Sequence, residues 1–450
     1  MAEYSKYKRS GFSWIGDIPE HWEVKRTKYV AKLYNGDSLN DEQKNVFSDF
    51  SETDETIPYI ASKDIDKDSC SVDYMNGTRI PKKEKNTNGR PFSMAPAGSS
   101  LLCIEGGSAG KKRCILNREV NFVNKLCCFV PKINGKFLFY YICSNSYWEN
   151  FKQNLQGMIG GVTVTKLSTF PIPIPSDNEQ KAIANYLDVE CKKIDDLIAK
   201  EEKRVHLLQE VRLSILSKTI LQGIKDGVKT VQSKYNWIGN IPEHWEVKRT
   251  KYVAKLYNGD SLNDEQKISY SDFSESDETL PYIASKDIDK DTCFVDYMNG
   301  TRIPKKEKNT NGRPFSKAPA GATLLCIEGG NAGKKRCILD REVSFVNKLC
   351  CFVPKINGKF LFYYICSNSY WEIFKQNLQG MIGGVTVTKL GTFPIPIPPE
   401  SEQDAIVAFL DRECGQYDDK IAKANHQIDL LKEYKLSLIT EVVTGKRKVC

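Results

Sequence analysis

The chain contains one long module twice. Residues 11–36 read GFSWIGDIPEHWEVKRTKYVAKLYNG, and from position 234 the sequence runs KYNWIGNIPEHWEVKRTKYVAKLYNG. Residues 14–175 align with residues 237–398 at an offset of 223 without a gap, and about sixteen of the 162 positions differ. Most exchanges are mild, such as Ile57 against Leu280 or Ser69 against Thr292. Two copies are too few for a solenoid, and 450 residues suffice for two or three domains that each bury a core. The duplication therefore predicts two domains of nearly identical surface.

After the PIPIP at 171–175 and 394–398 identity drops sharply, but a heptad persists. In the first copy it runs Leu187, Cys191, Ile194, Ile198, Glu201, Val205, Leu208, Arg212, Ile215, Thr219. In the second it runs Leu410, Cys414, Tyr417, Ile421, Ala424, Ile428, Leu431, Lys435, Leu438, Val442. Alternating steps of three and four over more than four heptads predict a long helix that buries a narrow stripe against a partner helix. Ser176 and Glu179 form an S-x-x-E capping box for the first; Pro399 replaces the serine in the second, whose start is less sharply marked.

The resulting domain order is globule 1–175, spacer helix 176–228, globule 229–398, spacer helix 399–450. For the second helix to bury its stripe on the first, it must run back toward the first globule. The expectation is an antiparallel coiled coil of helices about 45 residues and ~65 Å long, with the globules at opposite ends and a pseudo-two-fold axis between them. Each globule reads as α+β: short β-rich runs (IPYIA, SSLLCI, RCIL, NKLCCFVP) alternate with Gly, Asn and Pro turns. Residues 135–155, GKFLFYYICSNSYWENFKQNL, predict one internal helix, and Pro-Ile-Pro-Ile-Pro predicts a stiff extended strap.

Fifteen cysteines occur, none in a C-x-x-C, and seven recur in each copy within apolar stretches. That pattern predicts buried reduced thiols rather than zinc sites or disulfides. No apolar run approaches the length of a membrane span, and MAEYSKYKRS has no signal-peptide core, so the chain is expected to be cytoplasmic. The net charge of +8 is segregated. Residues 37–73 hold eleven acids against three lysines, whereas residues 79–113 hold eight Lys or Arg against two Glu, and the second copy repeats the division. One basic surface per module suits phosphate contacts. Two equal surfaces related by a two-fold would read a half-site, a spacer and the half-site's reverse complement.

These residues carry a resemblance. The W-I-G-x-I-P-E-H-W-E-V-K-R opening of each half, the I-P-I-P strap, and the E-Q-x-A-I…L-D at residues 179–188 and 402–411 resemble the DNA-specificity subunit of type I restriction–modification enzymes, over essentially the whole chain. The resemblance implies a non-catalytic subunit whose target-recognition domains grip the two halves of an interrupted double-stranded DNA target. It also implies two modification subunits forming an adenine-N6 methyltransferase, with ATP-driven restriction subunits joining optionally. S-adenosylmethionine, ATP and magnesium then belong to the partners, and this chain holds no cofactor. In one respect the sequence departs from the family: its two recognition domains normally differ. Near-identity here predicts an inverted-repeat target.

Chemistry of the chain's own finds little support. No N-P-P-[FY] or D-P-P-Y loop is present, and EGGSAGKKR at 105–113 lacks the spacing of a phosphate-binding loop. His21 and His244 fit packed corners. Asp64 and Asp66 read as solvated loop acids, without the P-D…[DE]-x-K pattern of a nuclease. A stand-alone DNA-modifying enzyme and a protein-interaction scaffold are the competing readings.

The first candidate for DNA contact is MNGTRIPKKEKNTNGRPFS at 75–93: Arg79, Lys82, Lys83, Lys85, Asn86, Asn88 and Arg90, mirrored by Arg302, Lys305, Lys306, Lys308, Asn309, Asn311 and Arg313. Arg suits guanine, Asn suits adenine and Lys suits phosphate. The second comprises Lys111, Lys112 and Arg113 with Lys334, Lys335 and Arg336. Thr163 and Thr165, with Thr386 and Thr388, lie in QGMIGGVTVTKL, whose glycines let backbone approach a ligand and equally fit a bulged strand or turn. Ser62 and Lys63 are a weaker choice. No catalytic residue and no metal ligand is assigned.

Overall fold

The structure is a computed structural model that describes residues 3–48, 55–75, 77–156, 160–270, 278–298, 300–380 and 383–449. Two compact units emerge: Met1–Glu202 with His426–Cys450, and Lys203–Asn425. Each thus combines one module, the start of the helix that leaves it, and the end of the other long helix.

In the first unit β1 (Tyr7–Arg9) pairs with β2 (Asp17–Pro19), and β3 (Glu23–Arg26) leads through the single turn α1 (Thr27–Val30) into β4 (Ala31–Asn35). Then come α2 (Asp41–Phe47), β5 (Thr56–Ile60), β6 (Thr78–Pro81), β7 (Met94–Ala95), β8 (Ser100–Cys103), β9 (Arg113–Ile115), β10 (Val120–Phe122) and β11 (Leu126–Pro131). One sheet has the order β6-β5-β10-β7, with β5 and β10 parallel; the other has β4-β11-β8-β9, with all its pairs antiparallel.

Neighbouring residues of the second sheet point to opposite faces, and both faces are buried. Leu101, Cys103, Leu126 and Cys128 join Ile60, Val120 and Phe122 of the first sheet in one core. The alternate residues Leu102, Cys127 and Phe129 are also fully buried, and their counterparts Leu325, Cys350 and Phe352 pack with the helical residues Phe360, Leu361, Tyr364 and Phe374. Burial on both faces accounts for a run such as LCCFV that shows no polar alternation. The fourteen described cysteines are free thiols, twelve of them buried.

The anticipated helix over 135–155 is two helices, α3 (Gly135–Cys143) and α4 (Asn145–Gln153). Ser144 breaks them with extended backbone. Its hydroxyl donates to the Tyr141 carbonyl at 2.7 Å and accepts from the Tyr147 amide, so it closes one helix and caps the next. The Pro-Ile-Pro-Ile strap is more than a tether. After the short α5 (Val164–Leu167) it forms β12 (Pro171–Ile174), antiparallel to β3. Prolines are tolerated because this two-stranded sheet has only edges. The second module repeats all of this, strand for strand.

The long helices are α6 (Asp177–Gln222) and Glu400–Val443. Ser176 and Glu179 make the capping box, with the Ser176 amide donating to Glu179 at 3.1 Å. In the first unit Lys435 Nζ lies 2.6 Å from Asp195, and the Arg447 guanidinium lies over the Tyr186 ring at 5.8 Å. One number rises as the other falls, so these segments are antiparallel. In the second unit Arg212 Nε meets Asp418 at 2.7 Å. The named stripe positions from Leu187 to Thr219 and from Leu410 to Val442 are buried or half-buried.

Candidate nucleic-acid interface

The basic hairpin between β6 and β7 is built on one carboxylate. Asp37 accepts from Asn86 Nδ2 at 2.8 Å and from the Ser93 amide at 2.6 Å. The Asn86 side-chain oxygen in turn accepts from the amides of Asn88 and Arg90, while Gly89 takes the left-handed conformation. Asn86 is therefore buried as the organiser of the turn rather than presented to a ligand. Asn309 does the same work with Asp260. Lys82, Lys83, Lys85, Asn88 and Arg90 are exposed, as are Lys305, Lys306, Lys308, Asn311 and Arg313. None of these cations has a carboxylate at ion-pair distance among the described residues.

Arg79 and Arg302 are not part of that surface. Each is 5% exposed, and each donates from Nε to a threonine hydroxyl, Thr56 at 2.9 Å and Thr279 at 3.0 Å. Their task is to tie β6, or its counterpart, to the neighbouring strand. The stretches that contain them also include Asn76 and Asn299, outside the described residues.

The turn at 105–113 splits similarly. Lys111 and Lys334 are exposed. Lys112 and Lys335 are half-buried and donate to the carbonyls of Ser62 and Ser285. Arg113 donates to the carbonyls of Gly110 and Cys143, and Arg336 to those of Gly333 and Cys366. Burial alone would raise the Cys143 thiol, but the hydrogen bond from Cys70 and the Arg113 guanidinium bring it below its ordinary value. Arg113 thus serves an internal thiol pair rather than the surface. The turn's amides are also committed: those of Gly106, Ala109, Gly110, Lys111 and Lys112 all donate to protein carbonyls, as a phosphate-cradling loop could not allow.

Thr163 caps α5 through the Lys166 amide and remains exposed, as do Thr165, Thr386 and Thr388. Residues 157–159 and 381–382 of the glycine-rich stretch lie outside the described residues. The backbone joins this stretch to the basic turn: Gly106 donates to Gly160, and Val162 to Ile104. Ser62 begins a short 3-10 turn beside the exposed Lys63.

The acids expected to be solvated have structural work. Asp64 accepts from the Ala61 amide at 2.9 Å, and burial raises its carboxyl; Asp66 accepts from the Ser69 amide and hydroxyl, which lower its own.

A family model described as type I restriction modification DNA specificity domain matches the chain twice, at residues 19–207 and 242–432. The chain belongs to that family. Members of the type I specificity family recognise the DNA target and leave catalysis to partner subunits. Similar curated proteins include two from Methanocaldococcus jannaschii. The putative type I restriction enzyme MjaX specificity subunit is 24% identical over 98% of both chains. The type I restriction enzyme MjaVIII specificity subunit is 24% identical over 96% of this chain and 94% of its own. A solved chain, from work on complex assembly and conformational transition of the type I R-M system, shares the fold. Its TM-score is 0.64 at 14% identity, covering 95% of this chain and 98% of that one. No helix among the described residues of this specificity chain is long and apolar enough to cross a membrane.

Two features of the specificity fold escaped sequence reasoning. The first is a latch. Besides capping its helix, Glu179 hydrogen-bonds His21 Nε2 at 2.9 Å and accepts from Trp22 Nε1 at 3.3 Å; Glu402 does so with His244 and Trp245. The E-H-W and E-Q motifs, 158 residues apart, are one contact. The second is a cluster of cations around α1 and α5, drawn from segments far apart in sequence.

Proposed function

We propose that this specificity subunit reads an interrupted inverted-repeat target in double-stranded DNA, one half-site per module. It carries two modification subunits, optionally joined by two restriction subunits. S-adenosylmethionine, ATP and magnesium serve those partners. Lys82, Lys83, Lys85, Asn88, Arg90, Lys111, Thr163 and Thr165, with their counterparts 223 residues on, are the proposed contact residues. Among them, Arg90 and Asn88 are the candidates for base edges, and the lysines for phosphates.

The observation that carries the symmetric target is identity where contact is proposed. All eight positions are the same in both modules, although sixteen others differ. Support for the inverted sense comes from the make-up of the first unit, where the helix leaving the module lies against one arriving in the opposite direction. Replacing residues 237–398 by residues 14–175 makes the modules strictly identical. The assembled methyltransferase is expected to keep its motif unchanged. A new motif from that exchange would mean that the sixteen differences encode a second half-site, and would overturn the reading.

A further inference from the structure

Three segments of the first module contain no acid at all: residues 24–36, 125–140 and 160–175, which together hold Lys25, Arg26, Lys28, Lys32, Lys125, Lys132, Lys136 and Lys166. The first ends about ninety residues before the second, and the third begins about twenty residues after it; the fold brings all three together. Strand β4 pairs with β11, and β3 with β12. The Lys28 amide donates to the Ser168 carbonyl at 3.0 Å, the Thr27 amide to Phe170, and the Lys132 amide to Val30 at 2.8 Å. Lys132 Nζ also reaches the Lys28 carbonyl at 3.5 Å.

Ion pairing then sorts the cations. Lys25 pairs with Glu23, Lys125 with Glu105 and Lys136 with Asp188. Lys32 Nζ lies 5.5 Å from the Tyr34 ring centroid; Arg26, Lys28, Lys132 and Lys166 are exposed and, like Lys32, have no carboxylate at ion-pair distance among the described residues. Tyr29 stands among them, 62% exposed, with Lys28 Nζ 5.1 Å from its ring centroid. An aromatic ring so exposed, in a module that buries most of its rings, has no role in the core. The second module repeats the arrangement with Arg249, Lys251, Tyr252, Lys355 and Lys389, and Tyr252 is 61% exposed.

We infer that this surface of each module seats the sugar–phosphate backbone of double-stranded DNA beside the half-site. The inference rests on the DNA-reading function proposed above and extends it to residues outside the basic hairpin. Four unneutralised cations, at the end of β3, on α1, on α5 and just after β11, match a polyanion, where each neutralised phosphate releases counterions. A ring among cations packs on a deoxyribose while the lysines reach the flanking phosphates. Such contacts position the protein without selecting sequence. A protein interface is depleted of charged residues at its core, whereas here unpaired cations crowd the Tyr29 ring.

The test uses the full chain assembled with its modification subunits. Arg26, Lys28 and Lys166, with Arg249, Lys251 and Lys389, are changed together to alanine; all six are exposed, so folding is spared. Binding to target and non-target duplexes is measured across a salt series. The expected result is weaker binding to both duplexes, a log–log salt slope smaller by ~5, and an unchanged methylation motif. An unchanged slope overturns the inference. So does an altered motif, which would make these residues readers of bases. Loss of modification subunits at an unchanged slope also overturns it, and assigns the surface to protein docking. If the unmodified complex shows no sequence preference, the DNA-reading function itself fails, which is a separate result.

Discussion

Glu179 shows how much one side chain can carry. It caps α6 and fastens that helix to the E-H-W corner of the module. Burial opposes its ionisation, but hydrogen bonds from His21, Ser176 and Trp22 prevail and hold the carboxyl at about 2, against its ordinary 4.5. A depressed carboxyl contributes stability above its unfolded value and loses it as pH falls through the folded one. The Glu179→Gln chain is therefore expected to be less stable than wild type at pH 7 by on the order of 2 kcal/mol. In denaturant titrations that difference should fade between pH 4.5 and about 2. A gap that stays constant over that window would show that the carboxylate's charge is unimportant.

The basic hairpin permits a second comparison of neighbouring residues. Changing Lys82, Lys83 and Lys85 and their counterparts to alanine is expected to lower the salt slope of DNA binding by ~5. Changing the buried Arg79 to methionine should cost about 1–2 kcal/mol of stability and leave the slope alone. Sequence revealed the excess of charge here but not which cations are spent internally. Both Arg79 and Ile80 are buried on β6, so strand alternation cannot separate a structural arginine from an exposed one. The α1–α5 cluster was invisible for another reason: its members converge only through strand pairing.

Among the elements, the long helices were the most legible, because a stripe in steps of three and four, sustained over several heptads, fits little besides a helix with one buried face. Capping geometry at Ser176 follows the sequence signal directly. The α3–α4 break was missed because apolar spacing runs on through Cys143-Ser144-Asn145-Ser146, and only the caps Ser144 and Asn134 reveal two starts. The antiparallel direction can be tested through Asp195 and Lys435, the latter 20% exposed. Asp195→Lys should destabilise the chain by about 0.5–1 kcal/mol, and adding Lys435→Asp should restore most of the loss. A double variant no better than the single one would place these charges apart in solution.

At the scale of the whole molecule, the sequence states the arrangement plainly: module, helix, module, helix, with the modules nearly copies. Each compact unit takes in the end of the other module's helix, and the first is therefore assembled from two separate stretches of chain. Twin reading surfaces have one consequence that needs no knowledge of the bases read. Long-read mapping of N6-methyladenine, in cells expressing this chain with its modification subunits, tests it most directly. The prediction is a single motif: a half-site, a gap of fixed length, and the reverse complement of that half-site, methylated at symmetry-related adenines on both strands. A motif with two unrelated half-sites would contradict the account.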